Sequence, residues 1–231
     1  MKYNNIVKGK FISRPNRFIA LVDICGETKT VHVKNTGRCK ELLIKGSTVY
    51  LEKSSNPQRK TGYDLIAVEK KRSNDTLLIN MDSQIVNDVA KEWLRQGNLF
   101  SKNAKIRREV TYNKSRFDFY IEDGENKIFL EVKGVTLEKD GVASFPDAPT
   151  ERGIKHLNEL SSSMDEGYRA YVLFVIQMKG VTVFKPNDAT HKAFGDTLRS
   201  VSNSGVLAYA VDCNITPDSI EIDKFIDIDL R

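Results

Sequence analysis

The segment RFDFYIEDGENKIFLEVKG, residues 116–134, constrains the fold more than any other part of the sequence. Two alternating apolar and polar runs flank Gly124-Glu125, and glycine at the first central position suits a two-residue hairpin turn of type II′. That turn places Ile121 opposite Ile128, Phe119 opposite Leu130 and Phe117 opposite Val132. One side of the ribbon is then wholly apolar, and because a one-residue slip would expose it, burial fixes this register.

The other side of the ribbon brings two carboxylates together. Asp118 lies opposite Glu131, with Cβ atoms roughly 5 Å apart, and Lys133 follows on the same face. Two neighbouring carboxylates raise each other's pKa unless a cation lies between them. Carboxylates completed by water and substrate phosphate are typical Mg²⁺ ligands, and the carbonyl of Val132 could add an oxygen. The pattern predicts Asp118 and Glu131 as ligands of Mg²⁺ or Mn²⁺, with Lys133 orienting the attacking water or stabilising charge at phosphorus.

An acidic residue followed by Glu-x-Lys on a hairpin resembles the signature of the PD-(D/E)xK, restriction-endonuclease-like superfamily. The resemblance implies that Asp118, Glu131 and Lys133 form a catalytic triplet. Phe117 stands where that motif has proline, and we expect little effect on metal binding because position 117 points to the core. The alternative is a cross-strand ion pair on a wet surface, worth about 0–1 kcal/mol, which does not explain two opposed carboxylates.

The first 80 residues are basic and rich in short strands. They carry 16 basic and seven acidic side chains, a net charge of +9, whereas the remainder is at −4. Six alternating, β-branched segments with turn residues between them predict a small closed barrel of the OB type, which binds oligonucleotides. Phe11 and Phe18 are either base-stacking platforms or core aromatics, and the small size of the barrel favours the core. The predicted phosphate contacts in this region are Lys8, Lys10, Arg14, Arg17, Lys34 and Arg38.

From residue 81 onward, helices alternate with strands, which predicts an α/β (α+β) domain with a mixed sheet flanked by helices. The pattern predicts a helix after Asp82 or Ser83 as cap, a second from Thr150 to about Ser163, and a third near 188–203. On the second helix, Arg152, Lys155 and His156 share a face that could hold a phosphate, unless it is an ordinary solvated surface. Glu109 is a weaker candidate for a third carboxylate. We therefore predict two domains, residues 1–80 and 81–231.

Composition excludes several classes of protein. With 40% hydrophobic residues the chain is not disordered throughout, and no apolar run reaches the roughly 18 residues of a membrane helix. Neither a secretory signal nor a disulfide framework is recognisable, since Cys25, Cys39 and Cys213 are odd in number and widely spaced. We expect a cytoplasmic protein without membrane or disulfide-linked partners; its oligomeric state stays open, a homodimer being one alternative.

Several segments together resemble the sugar fermentation stimulation protein A family. They are RPNRFIALV, HVKNTGRCKELLIKGS, SRFDFYIE, EVKGVTL, FPDAPTERGIKHLNEL and GVLAYAV. The resemblance implies a cytoplasmic, DNA-binding protein that regulates sugar (maltose) metabolism genes, built from an OB-like barrel and a nuclease-like domain. It also marks His32, Asn35, Thr36, Gly37 and Arg38 as a motif to which the sequence assigns no chemistry.

Two functions remain in competition. The family resemblance favours a DNA-binding regulator. Because no recognition helix is evident, we expect its DNA binding to lack sequence specificity. The intact triplet favours an active Mg²⁺-dependent nuclease. A sugar-binding module is disfavoured, since neutral sugars gain nothing from a positive field.

Overall fold

A computed structural model describes residues 1–35, 37–73 and 75–231. Thr36, which belongs to the motif around Asn35, lies outside the described residues. None of the described helices is long and apolar enough to cross a membrane. Cys25, Cys39 and Cys213 are free thiols.

The N-terminal region folds into the predicted closed barrel. Its strands are β1 (Ile6–Asn16), β2 (Ile19–Ile24), β3 (Glu27–Val33), β4 (Thr48–Lys53), β5 (Tyr63–Lys71) and β6 (Thr76–Asn80). Antiparallel pairing gives the order β3-β2-β1-β4-β5-β6, and a parallel pairing of β3 with β5 closes the barrel. The OB-like architecture expected from the alternating segments is therefore confirmed.

The second region is a mixed nine-stranded sheet with helices on both faces, also as expected. Its strands are β7 (Lys105–Tyr112), β8 (Ser115–Asp123), β9 (Asn126–Val135), β10 (Leu137–Lys139), β11 (Val142–Phe145), β12 (Arg169–Ile176), β13 (Val183–Pro186), β14 (Leu207–Thr216) and β15 (Ser219–Ile228). The strand order is β10-β11-β13-β15-β14-β12-β9-β8-β7. The helices are α1 (Val86–Arg95), α2 (Glu151–Ser163) and α3 (Asp188–Asn203), with a 3₁₀ turn at Met164–Glu166.

The helix ends test the capping predictions. Thr150 caps α2 as expected, its hydroxyl accepting from the Gly153 amide at 3.0 Å. The predicted cap of α1 is wrong: the helix starts at Val86 without a side-chain cap. Asp82 instead accepts from the Gln84 amide at 2.9 Å in the turn that precedes the helix.

Three strands of the sheet, β10, β11 and β15, were not predicted. The alternation in SIEIDKFIDI is the pattern that marks β15. The short β10 and β11 contain only three and four residues and carry too little periodicity to be recognised.

The two regions pack tightly against each other. A single apolar cluster contains Phe11 and Val31 of the barrel together with Phe174 of the sheet. The first residues of the chain extend onto the sheet, where the Tyr3 amide donates to the Asp218 carbonyl at 2.8 Å. The barrel therefore has a fixed position relative to the sheet.

A buried amide network holds this arrangement. Gln177 is 1% exposed, and its Nε2 donates to the Asn80 side chain and to the Asp82 carbonyl, both at 3.0 Å. Asn80 in turn donates to the Tyr3 hydroxyl at 3.0 Å. These bonds join the end of β6, the start of the second region and the N-terminus.

We predict that Gln177→Ala destabilises the whole protein, because it removes the side-chain donor to the buried Asp82 carbonyl and leaves Asn80 Oδ1 with only its bond from the Asp82 amide. The loss should be about 1–3 kcal/mol, or a fall in melting temperature of roughly 3–10 °C. Thermal unfolding by circular dichroism measures it, with the exposed Gln58→Ala as matched control. Equal melting temperatures for both variants would contradict the proposed role of the network.

Candidate metal centre and nucleic-acid interface

The predicted hairpin register holds close to the turn. Asp123 pairs with Asn126, Ile121 with Ile128, and Phe119 with Leu130. Among the described residues, the ladder pairs end there, and Asp118 and Glu131 do not form the next one. The Val132 amide donates instead to Asp118 Oδ2 at 2.7 Å. The strands open where the carboxylates begin, and a side chain replaces the backbone ladder.

The opening of the ladder also changes the direction of Phe117. We expected Phe117 to share a face with Phe119 and Ile121, and this is wrong. Phe117 is fully buried on the α2 side, 5.0 Å from the Phe129 ring, whereas Phe119 packs in the cluster on the α1 side. Position 117 still points into a core, as expected, but a different one.

Asp118 is held from a helix as well as from the neighbouring strand. Asn87 of α1 donates to Asp118 Oδ1 at 2.7 Å. The close approach of α1 depends on Gly134, because a Cβ there would lie 2.7 Å from Gln177 Oε1 and 3.1 Å from a Val86 methyl. Burial, and after it the negative charge of Glu131, raises the pKa of Asp118 to about 6.

Glu131 is the most enclosed acid of the site, with 3% of its surface exposed. Its Oε1 accepts from Lys133 Nζ at 2.5 Å and contacts His156 Nδ1 at 2.5 Å. Burial alone would raise the pKa of Glu131, but the Lys133 ammonium and the hydrogen bond from His156 bring it below its usual value. Glu131 is therefore ionised at neutral pH, whereas Asp118 changes its protonation state close to neutral pH.

The second oxygen of Glu131 is left without a partner among the described protein residues. Oε2 is buried, and no hydrogen-bond partner for it occurs within the part of the chain that the structure describes. Buried carboxylate oxygens are normally paired, so an unpaired one needs an explanation. It can accept a further ligand without displacing Lys133 or His156.

His156 plays a different part from the one expected from its helix face. It is 4% exposed and lies in the core against the Phe117 ring, rather than on a solvated surface. Arg152 Nε donates to His156 Nε2 at 3.3 Å. Nε2 is therefore the acceptor and Nδ1 carries the proton that bonds Glu131. Arg152 and His156 together orient Glu131.

Other predicted residues make their contacts away from Asp118 and Glu131. Lys155 Nζ donates to the Lys114 carbonyl at 2.5 Å. Glu109, the weaker candidate for a third carboxylate, pairs with Arg116 at 2.7 Å. Lys8 and Lys10 lie side by side on the β1–β4 face of the barrel, where both are exposed.

Arg14 and Lys34 are engaged inside the protein. The Arg14 guanidinium donates to the carbonyls of Arg17, Asn35, Gly37 and Arg38 at 2.6–2.8 Å. Lys34 Nζ lies 3.1 Å from Asp82 and 3.5 Å from Asp64, with 17% of its side chain exposed. Arg14 fixes the positions of Asn35, Gly37 and Arg38, Lys34 joins β3 to Asp64 and Asp82, and contact of either side chain with DNA stays a prediction.

The loop motif of the barrel meets the FPDAP segment of the second domain beside the carboxylate strand. A Cβ at Gly37 would collide with the Asp147 carboxylate, so glycine permits this contact. A cavity of about 170 Å³ lies here, lined among others by Gly37, Asp147, Gly134 and Thr136. Two of these residues directly continue the strand that carries Glu131 and Lys133.

Sequence reasoning missed Asn87 and Asp147. Asn87 lies one helical turn before Ala90 on a stripe that is otherwise apolar, and such an interruption is the signal that identifies it. Asp147 has no local signal, because its position over Gly37 arises from the packing of the two domains.

A closed OB-type barrel joined to a mixed α/β sheet with a buried Asp–Glu–Lys cluster defines a two-domain class, an OB module fused to a restriction-endonuclease-like module. The family model described as the sugar fermentation stimulation protein RE domain matches residues 84–219, and that of the SfsA N-terminal OB domain matches residues 12–79. The chain belongs to the sugar fermentation stimulation protein (SfsA) family.

Similar proteins cover the full chain. The sugar fermentation stimulation protein homolog of Clostridium beijerinckii is 57% identical over 228 residues, 99% of each chain. The homolog of Ruminiclostridium cellulolyticum is 55% identical over 230 residues, 100% of each. A structure of Pyrococcus furiosus SfsA in complex with Ca²⁺ superimposes with a TM-score of 0.85 at 26% identity, covering 99% of this chain and 98% of that one.

We predict that Asp118→Asn stabilises the protein above pH 6 in the presence of a chelator. Folding raises the pKa of Asp118 from 3.8 to about 6, so the unfolded chain loses its proton first. Stability therefore falls as the pH rises from about 4 to about 6, and the full cost is present above pH 6. The cost is small at pH 4, close to the unfolded pKa of 3.8, and vanishes at lower pH, where folded and unfolded chains both bind the proton. The variant should gain about 2–3 kcal/mol at pH 8, with Asn87 rotating its amide to keep the hydrogen bond.

Urea unfolding at pH 4, 6 and 8 measures this effect. The exposed Asp165→Asn serves as control and should change stability equally little at each pH. A pH-independent difference between Asp118→Asn and wild type would show that folding does not raise the pKa of Asp118.

Proposed function

We propose that this chain is a non-specific DNA-binding protein whose second domain holds a divalent cation, Mg²⁺ or Mn²⁺, between Asp118 and Glu131. The unpaired, buried Oε2 of Glu131 beside a second carboxylate is the observation that carries the proposal. A cation there would neutralise both carboxylates and supply the partner that Oε2 lacks.

The donor set fits a hard cation. Two carboxylates with water and phosphate oxygens are the usual environment of Mg²⁺. Among residues 1–35, 37–73 and 75–231, no three His, Cys, Asp or Glu side chains are arranged to hold a metal together. Backbone, water and substrate oxygens would therefore complete the coordination. Pyrococcus furiosus SfsA, which has the same fold, was solved in complex with Ca²⁺, and that complex supports a divalent site in this chain.

DNA binding is supported by the basic barrel. The first 80 residues carry a net charge of +9, and Lys10, Arg17 and Arg38 are exposed. A concentrated positive surface binds polyphosphates by releasing their counterions and reads no sequence. The relatives are named for stimulation of sugar fermentation, and DNA binding would connect this chain to the regulation of sugar (maltose) metabolism genes.

A second proposal is that the site is an active nuclease. The intact cluster of Asp118, Glu131 and Lys133 favours it over a domain retained only as scaffold. A bound divalent ion polarises the scissile phosphate and lowers the pKa of water. The Lys133 ammonium would hold the attacking water or stabilise charge on the phosphate oxygens, while His156 keeps Glu131 oriented. Water adds to phosphorus, the ester P–O bond breaks and the leaving oxygen takes up a proton.

We expect DNA affinity to fall with salt, with a log–log slope near −0.9 for each phosphate contacted. Arg17→Gln with Arg38→Gln should make that slope shallower by roughly one to two. Fluorescence anisotropy with a labelled 20-base-pair duplex in EDTA measures the slopes. Lys127→Gln, an exposed lysine at the far end of the hairpin, is the control. A wild-type slope of zero would refute the basic barrel as the DNA surface.

For the nuclease, we expect wild-type protein to cut single-stranded, duplex or branched DNA in Mg²⁺ or Mn²⁺ and not in EDTA. Glu131→Gln should cut roughly 100-fold more slowly or worse, whereas the hairpin-turn variant Glu125→Gln should match wild type. Gel assays of 5′-labelled substrates give the rates. Intact substrates in every metal would refute the nuclease and leave the DNA-binding proposal standing.

Calorimetric titration with Ca²⁺ tests the cation site itself, and binding retained in Glu131→Gln would refute that site.

A further inference from the structure

One edge of the barrel combines an exposed aromatic ring with unpaired cations. Phe18, in the β1–β2 turn, is 50% exposed, although we expected this ring in the core with Phe11. Phe11 fulfils that expectation at 4%. The barrel core is closed without Phe18, so the ring is available to a ligand.

The turn that carries Phe18 is rigid. Asn16 Oδ1 accepts from the amides of Phe18 and Ile19 at 2.9 and 3.0 Å, and the Phe18 carbonyl accepts from the Val33 amide at 2.8 Å. The Arg17 guanidinium lies over the Phe18 ring, 5.9 Å from its centroid. A ring held in place loses little entropy when a ligand stacks on it.

A cationic cleft adjoins this ring. It has a volume of about 420 Å³ and is lined by Arg14, Arg17, Gly37, Arg38, Lys40 and neighbouring residues, with Ala148 from the second domain. Arg14 ties Arg17, beside Phe18, to Asn35, Gly37 and Arg38 through their four carbonyls, so both walls are fixed. None of the ion pairs among the described residues involves Arg17, Arg38 or Lys40. These charges face the cleft without a carboxylate to neutralise them.

The cleft shares one wall with the smaller cavity beside the carboxylate strand. Gly37 lines both this cleft and the 170 Å³ cavity that also contacts Gly134 and Thr136. Gly134 lies next to Lys133 in β9, and Thr136 follows the last residue of that strand.

We propose that Phe18 and the cleft formed by Arg17, Arg38 and Lys40 are a binding site for single-stranded nucleic acid, with Phe18 stacking on one base and the cations contacting phosphates. A ring can stack only on a base whose face is free, and a duplex offers such faces only at its ends. Aromatic stacking within a cationic groove is the general means of holding single strands without sequence preference. This inference rests on the proposed DNA binding and adds the form of DNA that the barrel selects.

The test compares Phe18→Leu with wild type on two ligands, a fluorescein-labelled dT oligomer and a duplex of equal length, by anisotropy in EDTA. Leucine keeps apolar volume but cannot stack. We expect the affinity for dT to fall roughly 5- to 50-fold, while duplex affinity stays within about twofold of wild type. Phe225→Leu, which alters an aromatic of similar exposure, 48%, in the other domain, should change neither. Melting curves check that both variants fold.

A salt series identifies the cations. Arg38→Gln should reduce the log–log slope for dT by roughly 0.7, the value for one phosphate on a single strand. Unchanged dT affinity in Phe18→Leu, or equal losses on dT and duplex, would overturn the single-strand site while leaving general DNA binding intact. Absence of binding to either ligand by wild-type protein would refute the DNA-binding proposal itself. Loss of cleavage in Glu131→Gln with normal dT binding would leave this inference unaffected.

Discussion

The hydrogen bonds to one oxygen of Glu131 determine the properties of the whole site. Burying a carboxylate costs several kcal/mol unless cations and donors compensate, and Lys133 and His156 supply both through Oε1. Because one oxygen satisfies both partners, the other stays unpaired. The permanent negative charge on Glu131 then adds to burial in raising the pKa of Asp118. The result is one fixed charge beside one that titrates near neutral pH, an arrangement that a divalent cation would stabilise.

The fold supplies the partners of these two acids from opposite sides of one sheet. His156 comes from α2, whereas Asn87 comes from α1, which approaches β9 closely because residue 134 is glycine. Asp118 can be reached from α1 because the strand pair opens at that residue and the Val132 amide turns to its side chain. A regular ladder would have satisfied that amide with a carbonyl and left Asp118 as an ordinary cross-strand neighbour. The opening of the β8–β9 ladder thus made the predicted direction of Phe117 wrong, and the same opening creates the site.

Local patterns predicted much of this structure. The turn chemistry at Gly124 and the alternation around it gave the correct register through Phe119 and Leu130, since both depend on neighbouring residues. Thr150 was predicted as a cap for the same reason. What failed depends on distant packing: the direction of Phe117, the exposure of Phe18 and the start of α1. The partners of Glu131 show both cases. Strand periodicity predicts that Lys133 lies on the same face as Glu131, whereas His156 comes from a helix 25 residues away, which no local pattern reveals.

The accessibility of charged side chains is the property that the sequence predicts least well. The charges can be counted from the sequence, but the count does not show which of them remain exposed to solvent. Of the basic residues of the first 80, Lys34 pairs with Asp64 and Asp82, Lys70 pairs with the buried Glu138, and Arg14 bonds four carbonyls. These side chains assemble the domains and present little positive charge to solvent. Arg17, Arg38 and Lys40 are exposed and line one cleft, and Arg14 holds the first two there through their carbonyls. A cation that holds a loop and a cation that meets a phosphate are indistinguishable in composition, yet here the first kind determines where the second kind lies.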